Sequence, residues 1–139
     1  MAELPIPEGE LGDWRVEKVS FTEERAAFFN TQVESIYHVE PMTYTLLSNS
    51  EGCIMTDLPL EIEDQRLFSE AAEGKVLIGG LGLGITPNIV AEKLTVTSVL
   101  VVEVSPDVVS LVSPYLHAKV QVVQGDVFTF DPVAGGFSE

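Results

Sequence analysis

Apolar and polar positions alternate over residues 14–21, where Trp14, Val16 and Val19 stand among charged neighbours, and this pattern predicts a short strand. Thr22 follows as the cap of a helix expected to run to about Tyr37, with Glu23 and Glu24 in its first turn. Phe29, Val33, Ile36 and Tyr37 recur at helical spacing and predict its packing face. Pro41 closes that region. Residues 42–47 and 53–56 then read as two strands around Ser48-Asn49-Ser50-Glu51-Gly52, a hairpin. A second helix is expected from Asp57-Leu58-Pro59, with Asp57 or Thr56 as its cap and Ile62, Leu67, Phe68 and Ala71 on its buried side. Residues 1–13, acidic and rich in Pro and Gly, read as a loose arm.

After residue 74 the texture changes. Three apolar, β-branched runs are each followed by a turn, and the first two turns lead into short helical patterns. The first run breaks into Gly79-Gly80-Leu81-Gly82-Leu83-Gly84, ahead of a helix beginning near Ile85 with Pro87 in its first turn. The second occupies residues 97–102 and ends at Glu103, and Ser105-Pro106-Asp107 starts the next helix. The third covers residues 119–124 and ends in Gly125-Asp126-Val127-Phe128. Strand, helix, strand, helix, strand predicts a parallel sheet, so the three turns share one carboxyl edge.

Glycine spacing narrows what such an edge binds. The dinucleotide pattern G-x-G-x-x-G fails, because the required sixth position is Ile85 or Pro87. The G-x-x-x-x-G-K-[ST] phosphate loop fails too, since no Lys follows Gly84. Gly80-x-Gly82-x-Gly84 remains, a shorter turn that by itself equally fits close helix–sheet packing. The acids at the next two strand ends add chemistry. An acid about 20 residues beyond such glycines can accept from ribose hydroxyls, and Glu103 stands there. Asp126, one strand on, is placed to meet an adenine amino group.

Residues 75–130 resemble the first half of the class I S-adenosylmethionine-dependent transferase fold. Val-Leu-Ile-Gly-Gly-Leu-Gly-Leu-Gly stands at its first motif, Val-Val-Glu-Val-Ser-Pro-Asp-Val-Val at its second and Val-Val-Gln-Gly-Asp-Val-Phe at its third. The wording is most similar to the spermidine-synthase-like branch and its methyltransferase relatives. The resemblance implies a Rossmann-like α/β fold and a cofactor, S-adenosyl-L-methionine or its decarboxylated form. It implies that Gly80, Gly82 and Gly84 face the cofactor's methionine part, with Gly79 and Leu81 also cofactor-binding. Glu103 and Val104 would then lie at the ribose, and Asp126 and Val127 at the adenine. It also places the segment holding Asp57, Asp64 and Gln65 beside the cofactor. Two positions depart from the pattern, since Ile78 and Leu83 stand where methyltransferases and spermidine synthases, respectively, usually carry an acid.

Composition sets the remaining bounds. Seven Lys and Arg against 22 Asp and Glu give a formal net charge of −15, which speaks against a nucleic-acid partner and is compatible with a small cationic substrate. Cys53 is the single cysteine, which excludes an internal disulfide. No signal peptide and no apolar run of membrane-spanning length is present, and the chain reads as cytoplasmic. His38 and His117 have no partners at metal-ligand spacing, so no metal site is expected. The division expected is a helix and hairpin region over 1–56, then the first half of a cofactor-binding domain over 57–139. A fourth strand that would cover residues 76–78 is missing, and the chain reads as truncated, with an open edge paired in a homodimer as the alternative. No residue matches the proton-accepting Asp of spermidine synthases, so no catalytic residue is assigned. The functions left open are a methyltransferase portion with an unknown acceptor, an aminopropyltransferase, and a non-catalytic nucleoside-binding remnant.

Overall fold

The computed structural model describes residues 3–131 and is mixed α/β, with one antiparallel and one parallel sheet. Strands β1 (Gly9–Leu11), β2 (Trp14–Ser20), β3 (Thr43–Asn49) and β4 (Gly52–Thr56) form the antiparallel sheet in that order. Helix α1 (Glu23–Gln32) and a 3-10 turn (Ser35–Tyr37) lie between β2 and β3. Helix α2 (Pro59–Ser69) leads to the parallel sheet, β5 (Gly74–Gly79), β6 (Val96–Glu103) and β7 (Val120–Gln124), with β6 in the middle. Helices α3 (Ile85–Ala91) and α4 (Pro106–Val112) make the two crossovers. A second 3-10 turn (Ser113–Tyr115) follows α4.

Period-two alternation explains how the two sheets meet. In the parallel sheet Val76 pairs with Val99 and Val99 with Val120, while Ile78 pairs with Val101 and Val101 with Val122. These six residues line one face, since every second residue of a strand points the same way. In the antiparallel sheet Val16 pairs with Leu47 and Leu47 with Met55, making a corresponding apolar row. Both rows join one core with Ile85, Val90 and Ala91 of α3 and Val108 and Val112 of α4. A smaller cluster, Ala26, Val39 and Tyr44 with Phe21 and Phe29, seats α1 through edge-on ring contacts of Phe21 with Phe29 and Tyr44.

Several expectations are corrected. The N-terminal arm is not loose: β1 pairs with β2, and Ile6 is buried in the main core. Helix α1 stops at Gln32, not near Tyr37, and Val33 is extended. Asn30 explains part of this, because its side-chain amide exchanges two hydrogen bonds with the backbone of Val39 (2.9 and 2.8 Å) and folds the chain back. Ile36 and Tyr37 consequently sit on the 3-10 turn, exposed, instead of on a helical packing stripe. On α2, Ile62 is buried as expected, but Leu67 and Phe68 are exposed, Phe68 by 86%. The turn between β3 and β4 is tighter than the predicted five residues, with Ser50 and Glu51 at its tip.

Because the antiparallel sheet contributes to the shared core, its loss should unfold both sheets together. Leu47→Ala, at a site 1% exposed, is expected to cost about 2–5 kcal/mol in a urea melt and to leave a single transition. Phe68→Ala should stay within about 0.5 kcal/mol of wild type. Two separated transitions in the Leu47 variant would show that the sheets fold independently.

Candidate functional site at the carboxyl edge of the parallel sheet

Three turns leave the carboxyl edge of the parallel sheet, and the first is built on backbone conformations that only glycine adopts easily. Gly80, Gly82 and Gly84 have φ of +92°, +53° and +75°. Between them Leu81 and Leu83 turn their side chains into the core, where both are buried. The turn is thereby anchored from below by two apolar side chains and from above by hydrogen bonds. Gly80 N–H donates to Val102 O (2.8 Å) and Gly84 N–H to Leu81 O (2.9 Å).

Glu103 closes the arrangement. It ends β6, is 8% exposed, and its Oε1 accepts from Leu81 N–H at 2.8 Å. Its Oε2 accepts from Ser105 N–H at 2.9 Å. Ser105 in turn caps α4, its Oγ accepting from Val108 N–H at 3.3 Å. The third turn joins through the backbone, where Gly125 N–H donates to Glu103 O at 2.9 Å. Val127 packs over the first turn so closely that a Cβ at Gly79 would lie 3.0 Å from its Cγ1. The glycine turn, Glu103 and the 125–127 segment thus form one contiguous rim.

The other residues suggested by the sequence are distributed unevenly. Asp126 is exposed beside Val127, and its Oδ1 accepts from Phe128 N–H (2.9 Å). Val104 lies exposed on the same edge, and so does Phe128. Asp64 is exposed on α2, while Gln65 Oε1 accepts from the Thr86 hydroxyl (2.7 Å) and ties α2 to α3. Asp57 does not cap α2. Nor does Thr56: the N-cap position is Leu58, with no side-chain cap, and Thr56 Oγ1 accepts from Leu58 N–H just ahead of the helix while its own N–H and hydroxyl donate to Glu61. Asp57 is 2% exposed, accepts from Thr45 N–H at 2.7 Å through Oδ1, and leaves Oδ2 buried without a partner.

Nothing in the sequence pointed to Met55. The row of β2, β3 and β4 that faces the core delivers its thioether to the glycine turn, where Leu83 N–H donates to Sδ at 3.3 Å. A Cβ at Gly82 would lie 2.6 Å from Met55 Sδ and Cε. A turn amide is therefore covered by a weak acceptor drawn from the other sheet. Elsewhere, a cavity of about 390 Å³ opens between the 36–39 segment, the start of α2 at residues 58–61 and the β2–β3 pair. Its lining is apolar apart from His38, Glu61 and the Tyr37 and Tyr44 hydroxyls, and the Glu61 carboxylate is already bound to Thr56.

The rim's chemistry is that of an acceptor surface. The amides of Gly80, Leu81 and Gly84 are given to protein oxygens and that of Leu83 to sulfur. The acids at the rim favour hydroxyl and amino donors such as ribose and adenine carry. Two of the roughly four lone-pair sites of a carboxylate are used at Glu103. No family model matches the chain, and no curated protein sequence matches it either.

Burial raises the Asp57 carboxyl above its ordinary value of 3.8, against the opposing pull of the Thr45 amide and of Lys18. The folded state therefore holds this proton more tightly than the unfolded chain. Its contribution to stability is fully present below the ordinary carboxylate pKa and is lost as pH rises toward the folded value. Asp57→Asn keeps an acceptor for Thr45 and removes the titration. In paired melts the variant should gain on wild type from about pH 4 toward neutrality, and a pH-independent difference would contradict a buried, proton-retaining Asp57.

Proposed function

We propose that the rim binds an S-adenosylmethionine-type nucleoside and that the chain is the cofactor-binding portion of a class I methyltransferase with a Rossmann-like sheet. The observation that carries this reading is the meeting of the glycine turn with Glu103, 2.8 Å apart at Leu81 N–H, next to the segment holding Asp126. Glu103 accepts from the ribose hydroxyls with its remaining lone pairs, and Asp126 accepts from the adenine amino group. Val104, Val127 and Phe128 supply apolar surface for the base. The glycine spacing, which matches neither the dinucleotide nor the phosphate-loop pattern, and the acceptors already on the amides of Gly80, Leu81, Leu83 and Gly84 support such a nucleoside over a dinucleotide or a triphosphate.

When bound, the sulfonium supplies an electrophilic carbon for in-line displacement by an acceptor. What this chain adds is position, because fixing the reacting groups lowers the entropic part of the barrier. A general base is required only for an acceptor that must lose a proton. The acceptor proposed is a small molecule.

Met55 favours a second reading, aminopropyl transfer from decarboxylated S-adenosylmethionine. Its thioether covers Gly82 and takes the Leu83 N–H. A carboxylate at the end of the cofactor's tail would have to displace it to reach that amide. Calorimetry with the two cofactors separates the readings. Tighter binding of S-adenosylmethionine supports the methyltransferase, and clear preference for the decarboxylated form supports aminopropyl transfer. Binding of neither removes both.

A further inference from the structure

Glu103 touches all three turns of the rim with three different atoms. Oε1 holds the turn after β5 at Leu81, Oε2 holds the turn after β6 at Ser105, and the main-chain oxygen holds the turn after β7 at Gly125. No other side chain among the described residues is shown binding both of the first two turns. Through Ser105, whose hydroxyl caps α4, the same carboxylate also fixes where that helix starts. Leu81 follows Gly80 and precedes Gly82, both at positive φ. The amide between two such residues is the point at which an anchored acceptor sets the course of the turn.

We propose that Glu103 is the positioning residue of the rim, acting on a bound nucleoside through the glycine turn and the Ser105 loop in addition to any hydroxyl it accepts from. This rests on the nucleoside-binding reading above. The two roles differ in what they predict for a ligand that has no ribose hydroxyls. A residue that only met the diol would be irrelevant to 2′,3′-dideoxyadenosine. A residue that shapes the turn matters to adenosine and to the dideoxy compound alike.

The experiment uses the full chain with Glu103→Ala and Glu103→Gln. Hydrogen exchange without ligand is expected to show protection at the Leu81 and Ser105 amides falling about tenfold or more in Glu103→Ala, the scale of losing a hydrogen bond to a charged group. Amides within β6 should keep theirs. The amide side chain of Glu103→Gln offers one acceptor oxygen, so one of the two amides should stay protected, and this variant serves if the alanine form does not fold. Titration of both nucleosides should show the affinity for 2′,3′-dideoxyadenosine dropping in the alanine variant by about fivefold or more. Unchanged dideoxyadenosine affinity, or unchanged exchange at Leu81, overturns the positioning role. A wild-type chain that binds neither nucleoside removes the nucleoside reading and, with it, positioning of a ligand; the exchange arm then shows whether the clamp itself exists.

Discussion

Burying a carboxylate at the end of an apolar strand is costly unless its lone pairs are met, and the way Glu103 meets that cost organises the whole carboxyl edge of the parallel sheet. Residues 99–102 of β6 are buried and apolar, so the strand is fixed in the middle of the sheet before its last residue is considered. Glu103 then has little water to turn to. It takes amides from the turn before it and the turn after it. Those turns in exchange acquire an anchor that needs no cation, which suits a chain with only seven Lys and Arg. The rim's shape and its acceptor character therefore have one cause.

The amino edge of the same sheet is held by the opposite chemistry. Lys119 donates to the carbonyls of Lys93 and Val96 at 3.1 and 2.9 Å, joining the start of β7 to the end of α3 and the start of β6. Lys93 donates to the carbonyls of Ser69 and Glu70 where α2 ends, as a cation near a helix C-terminus should. In the antiparallel sheet Lys18 donates to Leu4 O and Thr45 Oγ1, with Glu3 at 3.5 Å. These ammonium groups are spent largely on backbone oxygens. Among the described residues the acids other than Asp57 and Glu103 lie at least partly exposed, so the excess negative charge is not a cost to the core.

Much of the fold was legible because the second half of the chain is locally consistent. Residues 75–124 carry β-branched runs, glycines and a Ser-Pro-Asp helix start, and each local signal agrees with its neighbours. The structure follows them to within a residue or two. The failures lie where a distant partner decides. Residues 9–11 become a strand only because β2 is available to pair with them. Helix α1 ends where Asn30 reaches across to Val39, a contact nine residues away that no helical pattern reveals. Asp57 has the look of a helix cap in sequence, yet the helix starts at Pro59 without a side-chain cap and Asp57 is drawn inward to Thr45. The site follows the same rule. The glycines and Glu103 could be read from spacing, whereas Met55 reaches the turn because the antiparallel sheet shares a core with it.

The adenosine-containing ligand proposed above is assigned to the rim and not to the cavity lined by residues 36–39 and 58–61. Backbone amide shifts of the isotopically labelled chain during titration with adenosine test this assignment most directly. Saturable shifts concentrated at residues 80–84, 103–105 and 125–128 are the outcome predicted. Shifts centred on Phe21, Phe29 and Tyr37, or none at millimolar adenosine, would contradict it.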